Sequence, residues 1–197
     1  MIKNLLIGLL ALFSLQANAQ LDSIYYVETP IFKVKYSYTK QQPLELEYKI
    51  TCTDGKVERS GDFWTDRRYY TSDGYDYADN VWDKGHLAPA ATFNCSNEML
   101  RLTFSYLNCA LQHESLNRGV WSRLEAFERD LALFYDVRVV VEVEFDEHCI
   151  VLPTGATVPK GFWKTIYWDD NLATFYFPND LITGKSWHDF MLTEIED

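Results

Sequence analysis

The chain has 197 residues, of which 47% are hydrophobic and 16% aromatic; this composition excludes a disordered or low-complexity protein and suits one domain with a sizeable core. Its formal net charge of −11 excludes a protein that binds polyanions through its overall charge. Any contact with phosphates must therefore use a local cluster of basic side chains or a bound divalent cation.

The N-terminus has the pattern of a secretory signal. Lys3 gives a positive start, residues 5–15 are mostly apolar, and residues 17–19 have the sequence Ala-Asn-Ala, whose outer positions a signal peptidase recognises. A membrane anchor is the alternative, but the apolar run is shorter than the about 20 residues of a spanning helix. We therefore predict a signal peptide at residues 1–19. We expect one secreted or periplasmic domain at residues 20–197, with no membrane contact after cleavage.

Four cysteines follow this segment: Cys52, Cys95, Cys109 and Cys149. An even number of cysteines in an exported protein permits two disulfides, and three connectivities are open. No two of them have C-x-x-C spacing, so a structural zinc site is not expected.

Alternation of apolar and polar residues predicts a β-hairpin at residues 32–53, with its turn at residues 40–43. Residues 54–80 are polar, rich in Asp, Gly and Tyr, and have no period. They predict a long loop, and loops of that length are often functional.

The next elements are a helix and three strands. Apolar residues recur at steps of three and four over residues 115–134, which predicts a helix with Ser115 or Asn117 as its N-cap. The β-branched run at residues 137–143 predicts a buried strand. A further pair of strands is predicted at residues 162–168 and 172–177. Together these elements predict an α+β fold with an antiparallel sheet core.

The residue types that carry chemistry are concentrated in residues 82–130. His86 follows a glycine, is preceded by Asp83 and Lys84, and is followed by small residues that leave room for a bulky ligand. The further polar residues of the segment are Asn108, Gln112, Asn117 and Glu125. A polar strand end packed on an amphipathic helix is the alternative interpretation, since most histidines are not catalytic.

This segment resembles the DNA/RNA non-specific endonucleases, the His-Me finger or ββα-metal group that includes endonuclease G. The family patterns D-R-G-H and L-N-x-G-x-W-x-x-L-E correspond to residues 83–86 (DKGH) and 116–125 (LNRGVWSRLE). Residues 107–112 are similar to S-N-x-x-P-Q, and residues 158–164 to V-P-x-x-F/Y-W/F-K. Weaker similarity extends to the hairpin and to residues 193–196. Several motifs in the same order are more specific than any one of them.

The resemblance implies a metal-dependent endonuclease that hydrolyses phosphodiester bonds of DNA and RNA without sequence specificity and leaves 5′-phosphate ends. It implies His86 as general base, Asn117 as ligand of one Mg²⁺ (or Mn²⁺) ion, and Glu125 as holder of metal-bound waters. Asn108 would orient a water or the phosphate.

The chemistry of these side chains agrees with the implied roles. An imidazole titrates near neutrality and can accept the proton of water. An amide oxygen suits Mg²⁺, which keeps several waters and needs few protein ligands. On a straight helix Asn117 and Glu125 lie about 80° and two turns apart, so we do not expect both to bind the same ion directly.

Two departures from the family pattern concern the phosphate contacts. Lys84 stands where the family usually has Arg, so a point charge replaces a planar fork. A second arginine usually precedes a W/F-x-x-D pattern, which residues 63–66 match, but here its position holds a glycine and Arg59 lies two residues earlier. Arg59 is thus one candidate contact, and Arg67 and Arg68 are the others.

Two further functions stay open at this point. The first is a catalytically weakened nucleic-acid-binding or protein-interaction domain on the same fold, which the acidic balance favours. The joint presence of His86, Asn117 and Glu125 argues against it. The second is a metal-dependent phosphodiesterase that acts on small substrates. For single residues the alternatives are helix capping by Asn117 and solvated positions for Lys84 and Glu125.

Overall fold

The computed structural model describes residues 22–59 and 61–192. Its strands in chain order are β1 (Ile24–Glu28), β2 (Phe32–Ser37), β3 (Gln42–Lys49), β4 (Trp82–His86), β5 (Cys109–His113), β6 (Val137–Glu144), β7 (Gly161–Trp168) and β8 (Asn171–Pro178). Six of them form an antiparallel sheet in the order β1-β2-β3-β6-β7-β8, and β4 and β5 form a separate antiparallel pair. The predicted α+β class with an antiparallel sheet core is confirmed.

The helical elements lie mostly between β4 and β6. The α-helices are α1 (Asn97–Thr103), α2 (Glu114–Leu116) and α3 (Ser122–Leu131), and a π-helical segment, Asn117–Trp121, joins α2 to α3. The 3₁₀ turns are Gly74–Tyr77, Ala90–Thr92, Tyr106–Asn108 and Trp187–Phe190. None of the helices in the described ranges is long and apolar enough to cross a bilayer.

The predicted hairpin is confirmed as β2 and β3, with one correction to its turn. The turn lies at residues 38–41, so Gln42 and Pro43 already belong to β3. Pro43 is tolerated there because pairing of β3 with β6 begins only at Glu45, and its missing N–H removes no bond to β6. β1 was not predicted: Val27 is its one buried residue, so this edge strand shows no apolar alternation.

The three later strands are confirmed. β7 and β8 are joined by a two-residue turn, because Trp168 pairs directly with Asn171. The turn residue Asp169 has a φ of 46°, the left-handed conformation that tight hairpin turns require. Asn171, which lies between the two predicted strand ranges, is therefore the first residue of β8.

The helix predicted at residues 115–134 is wrong as one regular helix. It begins at Glu114, capped by the side chain of His113, and is broken at Gly119, whose φ of −104° and ψ of −113° are not helical. π-helical segments of this kind are often found at functional sites. Asn117 has helical dihedral angles, is the first residue of the π-helical segment and is not an N-cap. The angle expected between Asn117 and Glu125 on a straight helix therefore does not apply.

The broken helix lies over one face of the six-stranded sheet. Four of its apolar side chains are fully or almost fully buried, namely Leu116, Val120, Trp121 and Leu124. The Trp121 ring contacts Phe162 of β7 and Phe177 of β8, with centroid distances of 5.6 and 5.5 Å. Burial of each such side chain stabilises the fold by about 1.5–3 kcal/mol, so this face fixes the helix on the sheet.

The described residues of the predicted loop at 54–80 form no helix or strand apart from the turn Gly74–Tyr77. A disulfide between Cys52 and Cys95 ties its start to the segment before α1, while Cys109 and Cys149 are free thiols. One of the two permitted disulfides is therefore present. The predicted signal peptide and the similarity at residues 193–196 lie outside the described residues.

Candidate active site

The strands β4 and β5 and the broken helix form a ββα unit. β4 pairs antiparallel with β5, and the chain enters α2 directly after β5. His86 is the last residue of β4. The preceding Gly85 lies so close to β5 that an added Cβ would be 2.6 Å from the Gln112 side chain. A side chain at that position would push β4 and β5 apart and would displace His86.

An open cleft of about 380 Å³ lies where β4, the helix and the long loop meet. Five of the six predicted site residues line it: Arg59, Lys84, His86, Asn117 and Glu125. Pro89, Ala90 and Ala91 also line the cleft, in agreement with the room that small residues were expected to leave. Residues separated by up to 66 positions in sequence thus share one cleft.

The imidazole of His86 is half-buried and in contact with the rings of Phe63 and Phe104, at centroid distances of 4.9 and 5.2 Å. Its Nε2 atom is buried and has no hydrogen-bond partner among the described residues. Burial, followed by the nearby charge of Arg59, lowers the pKa of His86 to about 3. At neutral pH the ring is therefore uncharged and keeps one nitrogen free to accept a proton.

Asn117 is held by a residue whose role the sequence did not reveal. Its Nδ2 donates to Oδ2 of Asp83 at 2.8 Å, and the same carboxylate accepts from Arg118 Nε at 2.8 Å and Nη2 at 2.6 Å. Because a carboxylate only accepts, this bond fixes which end of the amide is nitrogen. Asn117 lines the cleft, and its carbonyl Oδ1 is the atom of the side chain that can act as an acceptor there.

Glu125 lines the same cleft from α3 and is partly buried. Burial raises its pKa to about 7, against the opposing effect of the Lys164 ammonium group. The carboxyl group therefore changes its charge near neutral pH, in a cleft that also holds the amide of Asn117.

Two basic side chains line the cleft. The guanidinium carbon of Arg59 lies 5.2 Å from the centroid of the Phe104 ring. Lys84 Nζ lies 5.3 Å from the Phe63 ring centroid and 3.6 Å from Oδ1 of the exposed Asp62. Of the alternative arginines, Arg68 is paired with Asp66 at 2.6 Å and Arg67 is exposed, and neither is among the described residues of the cleft.

Asn108 occupies a different place from the one predicted. It is fully buried, its Oδ1 accepts from Ala88 N at 2.7 Å, and its Nδ2 donates to Ala88 O at 2.9 Å and Thr103 O at 2.8 Å. These bonds use its donors and one lone pair on backbone groups, and it is not among the described residues that line the cleft. The geometry supports a role in fixing the segment after His86 and does not favour a contact with water or phosphate.

The donor set of the cleft suits a hard cation. The described residues contain no group of three or more His, Cys, Asp or Glu side chains that could hold a metal ion. Asn117 and Glu125 instead offer an amide oxygen and a carboxylate. Oxygen donors in small number match Mg²⁺, which is usually bound through one or two protein ligands and several waters.

Comparison with known proteins gives four findings. A family model described as DNA/RNA non-specific endonuclease matches residues 15–197. The mitochondrial nuclease EXOG of Danio rerio is 38% identical over 72 residues, which cover 36% of this chain and 21% of that protein. The nuclease of Serratia marcescens is 30% identical over 127 residues, which cover 58% of this chain and 47% of that protein.

The fourth finding is structural. A crystal structure of an EndoG/EndoGI complex matches the fold with a TM-score of 0.77 at 22% identity, over 85% of this chain and 80% of that one. At this identity the likeness concerns the fold. The chain spans about a fifth of the length of the Danio relative and less than half of the Serratia one.

Proposed function

The chain belongs to the DNA/RNA non-specific endonuclease family, and on that basis we propose that it is a metal-dependent endonuclease that hydrolyses phosphodiester bonds of DNA and RNA without sequence specificity. One observation carries this proposal. A neutral imidazole, an oriented amide oxygen and two basic side chains line a single cleft on a ββα unit.

In this proposal His86 is the general base. Hydrolysis requires that a water lose its proton as it attacks phosphorus, and a positioned base accelerates that step. His86 is neutral at working pH, and its Nε2 is not engaged by any described residue. The negative phosphate of a bound substrate stabilises the imidazolium that forms, because an opposite charge nearby favours the protonated ring.

Asn117 would hold the cation, Mg²⁺ or Mn²⁺, through Oδ1, and Glu125 would accept hydrogen bonds from its water ligands. When bound, the ion neutralises the negative charge that develops on the phosphate and on the leaving oxygen. The ion pair of Asp83 with Arg118 keeps the amide of Asn117 in one orientation. This arrangement is typical of outer partners that orient metal ligands.

Arg59 and Lys84 would bind the scissile phosphate. They give an acidic protein the local basic cluster that phosphate binding needs. Asp62 is exposed and 3.6 Å from Lys84, so a phosphate can replace it at little cost. Asn108 would act as a positioning residue for the segment that follows His86.

We further propose that the mature enzyme is secreted or periplasmic, because residues 1–19 have the pattern of a secretory signal. Its substrates would then be DNA and RNA outside the cytoplasm. Mass spectrometry of the protein recovered from the culture medium or periplasm tests this directly, since cleavage after Ala19 leaves Gln20 as the first residue.

An activity assay distinguishes the proposed enzyme from a domain that binds nucleic acid without cleaving it. We expect the purified protein to convert single- and double-stranded DNA and RNA to acid-soluble oligonucleotides with 5′-phosphate ends, and EDTA to stop the reaction. Retention of labelled nucleic acid without any product would support the binding domain and contradict the proposed enzyme.

Lys84→Ala is expected to lower kcat/KM, with a larger effect at low than at high ionic strength. Added salt already screens the contact of the ammonium group with phosphate, so less is lost by removing it. Lys84→Arg is expected to be tolerated or to raise kcat/KM, because the planar fork can bind two phosphate oxygens.

Kinetics on a short duplex at two ionic strengths measure both effects. Lys49→Ala is the matched control, because Lys49 is exposed on β3 and pairs with Asp136. If Lys84→Ala matched the parent at both ionic strengths, Lys84 would be a solvated side chain at the cleft edge, and Arg59 would be the remaining phosphate contact.

A further inference from the structure

Arg101 on α1 is an exposed cation that lies over an aromatic ring. Its guanidinium carbon is 5.3 Å from the centroid of the Trp64 ring, and Trp64 Nε1 donates to the carbonyl oxygen of Arg101 at 2.9 Å. Among residues 22–59 and 61–192, no carboxylate forms an ion pair with Arg101, and Glu98, one turn earlier on the same helix, is no exception. This acidic protein therefore presents a guanidinium group that is supported by a ring and is not neutralised by an ion pair.

Arg101 lies next to the candidate active-site cleft. Its chain neighbour Leu100 lines the cleft, and so does Phe63, the chain neighbour of Trp64. A backbone hydrogen bond of 2.9 Å from Trp64 N to Phe104 O joins the long loop to the segment that follows α1. The loop and α1 therefore hold Arg101 and Trp64 together just outside the wall of the cleft.

Arg101 also extends the basic surface of the cleft. Phe63 and Trp64 pack against a cluster that contains Phe104, and each of three cations lies over a different ring of this group. At centroid distances of 5.2, 5.3 and 5.3 Å, the pairs are Arg59 with Phe104, Lys84 with Phe63, and Arg101 with Trp64. Surfaces that combine cations with aromatic rings are typical of proteins that bind a nucleic-acid strand, because the cations bind phosphates while rings and guanidinium planes stack on bases.

We propose that Arg101, supported by Trp64, binds a second phosphate of the substrate strand, next to the scissile phosphate. This inference rests on the proposed function, in which Arg59 and Lys84 bind the scissile phosphate. The planar fork of a guanidinium group matches two oxygens of one phosphate. The ligand of this subsite is therefore a polynucleotide strand with successive phosphates, and a small phosphodiester with a single phosphate does not use it.

Arg101→Ala is expected to weaken the binding of single-stranded oligothymidylate by about three- to fivefold at low ionic strength, the order of one exposed contact between opposite charges. It should also lower the slope of log Kd against log salt concentration by about 0.7, because each phosphate neutralised on a single strand contributes that amount. Arg101→Lys keeps the charge, so it should retain the slope and lose part of the affinity together with the planar fork.

The measurement is the fluorescence anisotropy of labelled oligothymidylate, titrated with protein in EDTA at several salt concentrations. Arg138→Ala is the matched control: the guanidinium carbon of Arg138 lies 4.0 Å from the centroid of the Tyr167 ring, but Arg138 lies on β6 and does not line the cleft. Its affinity and salt slope should equal those of the parent. Near-ultraviolet circular dichroism verifies that each variant is folded.

Kinetics with Mg²⁺ provide a second measurement. Arg101→Ala should raise KM for oligothymidylate and leave kcat close to that of the parent, because the second phosphate is not the one that reacts. The p-nitrophenyl ester of thymidine 5′-phosphate has a single phosphate, so kcat/KM for this ester should be the same in Arg101→Ala and in the parent.

Equal affinities and salt slopes in the parent and in Arg101→Ala would overturn the second phosphate contact, and so would a parent that does not bind the strand at low ionic strength. Because binding is measured without metal, this failure is distinct from failure of the proposed function. An inactive protein whose binding changes as expected would contradict the enzyme and keep Arg101 as a phosphate contact. An active enzyme whose Arg101→Ala variant binds like the parent would contradict this inference alone.

Discussion

His86→Ala is expected to lower the rate of phosphodiester cleavage by about 10²–10⁴-fold while the protein remains folded. The imidazole lines the cleft and is neutral at working pH. Its buried Nε2 atom has no hydrogen-bond partner among the described residues. Its removal leaves the attacking water without a proton acceptor. The fold should survive, because the ring contacts only the edge of an aromatic cluster and makes no hydrogen bond to it through Nε2.

The measurement is the initial rate on a short duplex at neutral pH and saturating Mg²⁺. His148→Ala is the matched control, since His148 is 84% exposed beside Glu147 and does not line the cleft. A variant without the His86 ring that kept near-normal turnover would show that another group is the base.

Asn117→Ala is expected to weaken the binding of Mg²⁺ by at least about tenfold, because loss of a group that orients a metal ligand already costs 10–100-fold. Asp83→Asn should give a smaller loss of the same kind. It removes the ion pair with Arg118 and allows the amide of Asn117 to turn. Both variants keep the general base, so high Mg²⁺ concentration should restore part of the activity.

Activity titrated with Mg²⁺, together with calorimetry of Mg²⁺ binding, gives the two affinities. Asn171→Ala, in the exposed hairpin between β7 and β8, is the control with the same change of side chain. An unchanged Mg²⁺ dependence in Asn117→Ala would place the ligand elsewhere in the cleft.

The sheet could be predicted from the sequence wherever one face of a strand is buried. Phe32, Val34 and Tyr36 alternate with polar residues because β2 has one face in the core. β1 escaped prediction because an edge strand with one buried residue leaves no such pattern. The break at Gly119 also escaped it, since the apolar spacing of a helix continues across the π-helical segment.

The motifs identified the residues of the candidate site, but they did not specify how these residues are arranged in space. Asp83 belongs to a predicted motif, but its partner Asn117 is 34 residues away, and only the pairing of β4 with β5 brings the helix to it. Asn108 has the residue type of a catalytic group, yet its bonds to Ala88 and Thr103 turn it toward the backbone. A side chain's hydrogen-bond partners depend on tertiary contacts, which residue spacing does not specify.

The loop residues illustrate the same limit. The sequence did not distinguish among the three candidate arginines. In the structure Arg68 is paired with Asp66, whereas Arg59 lies next to the Phe104 ring and lines the cleft. Lys164 is the last residue of the motif at residues 158–164 and lies on β7. Its buried ion pair with Glu128 depends on the packing of α3 against β7, which the motif does not specify.

Metal-dependent endonuclease activity is tested most directly by incubating supercoiled circular DNA with the purified protein, first in EDTA and then after Mg²⁺ is added in excess. A closed circle has no ends, so any cleavage is endonucleolytic. We expect an intact circle in EDTA, followed by nicked, linear and shorter DNA after Mg²⁺ is added. A circle that stays supercoiled with Mg²⁺ present, or one that is nicked equally well in EDTA, would contradict a metal-dependent endonuclease.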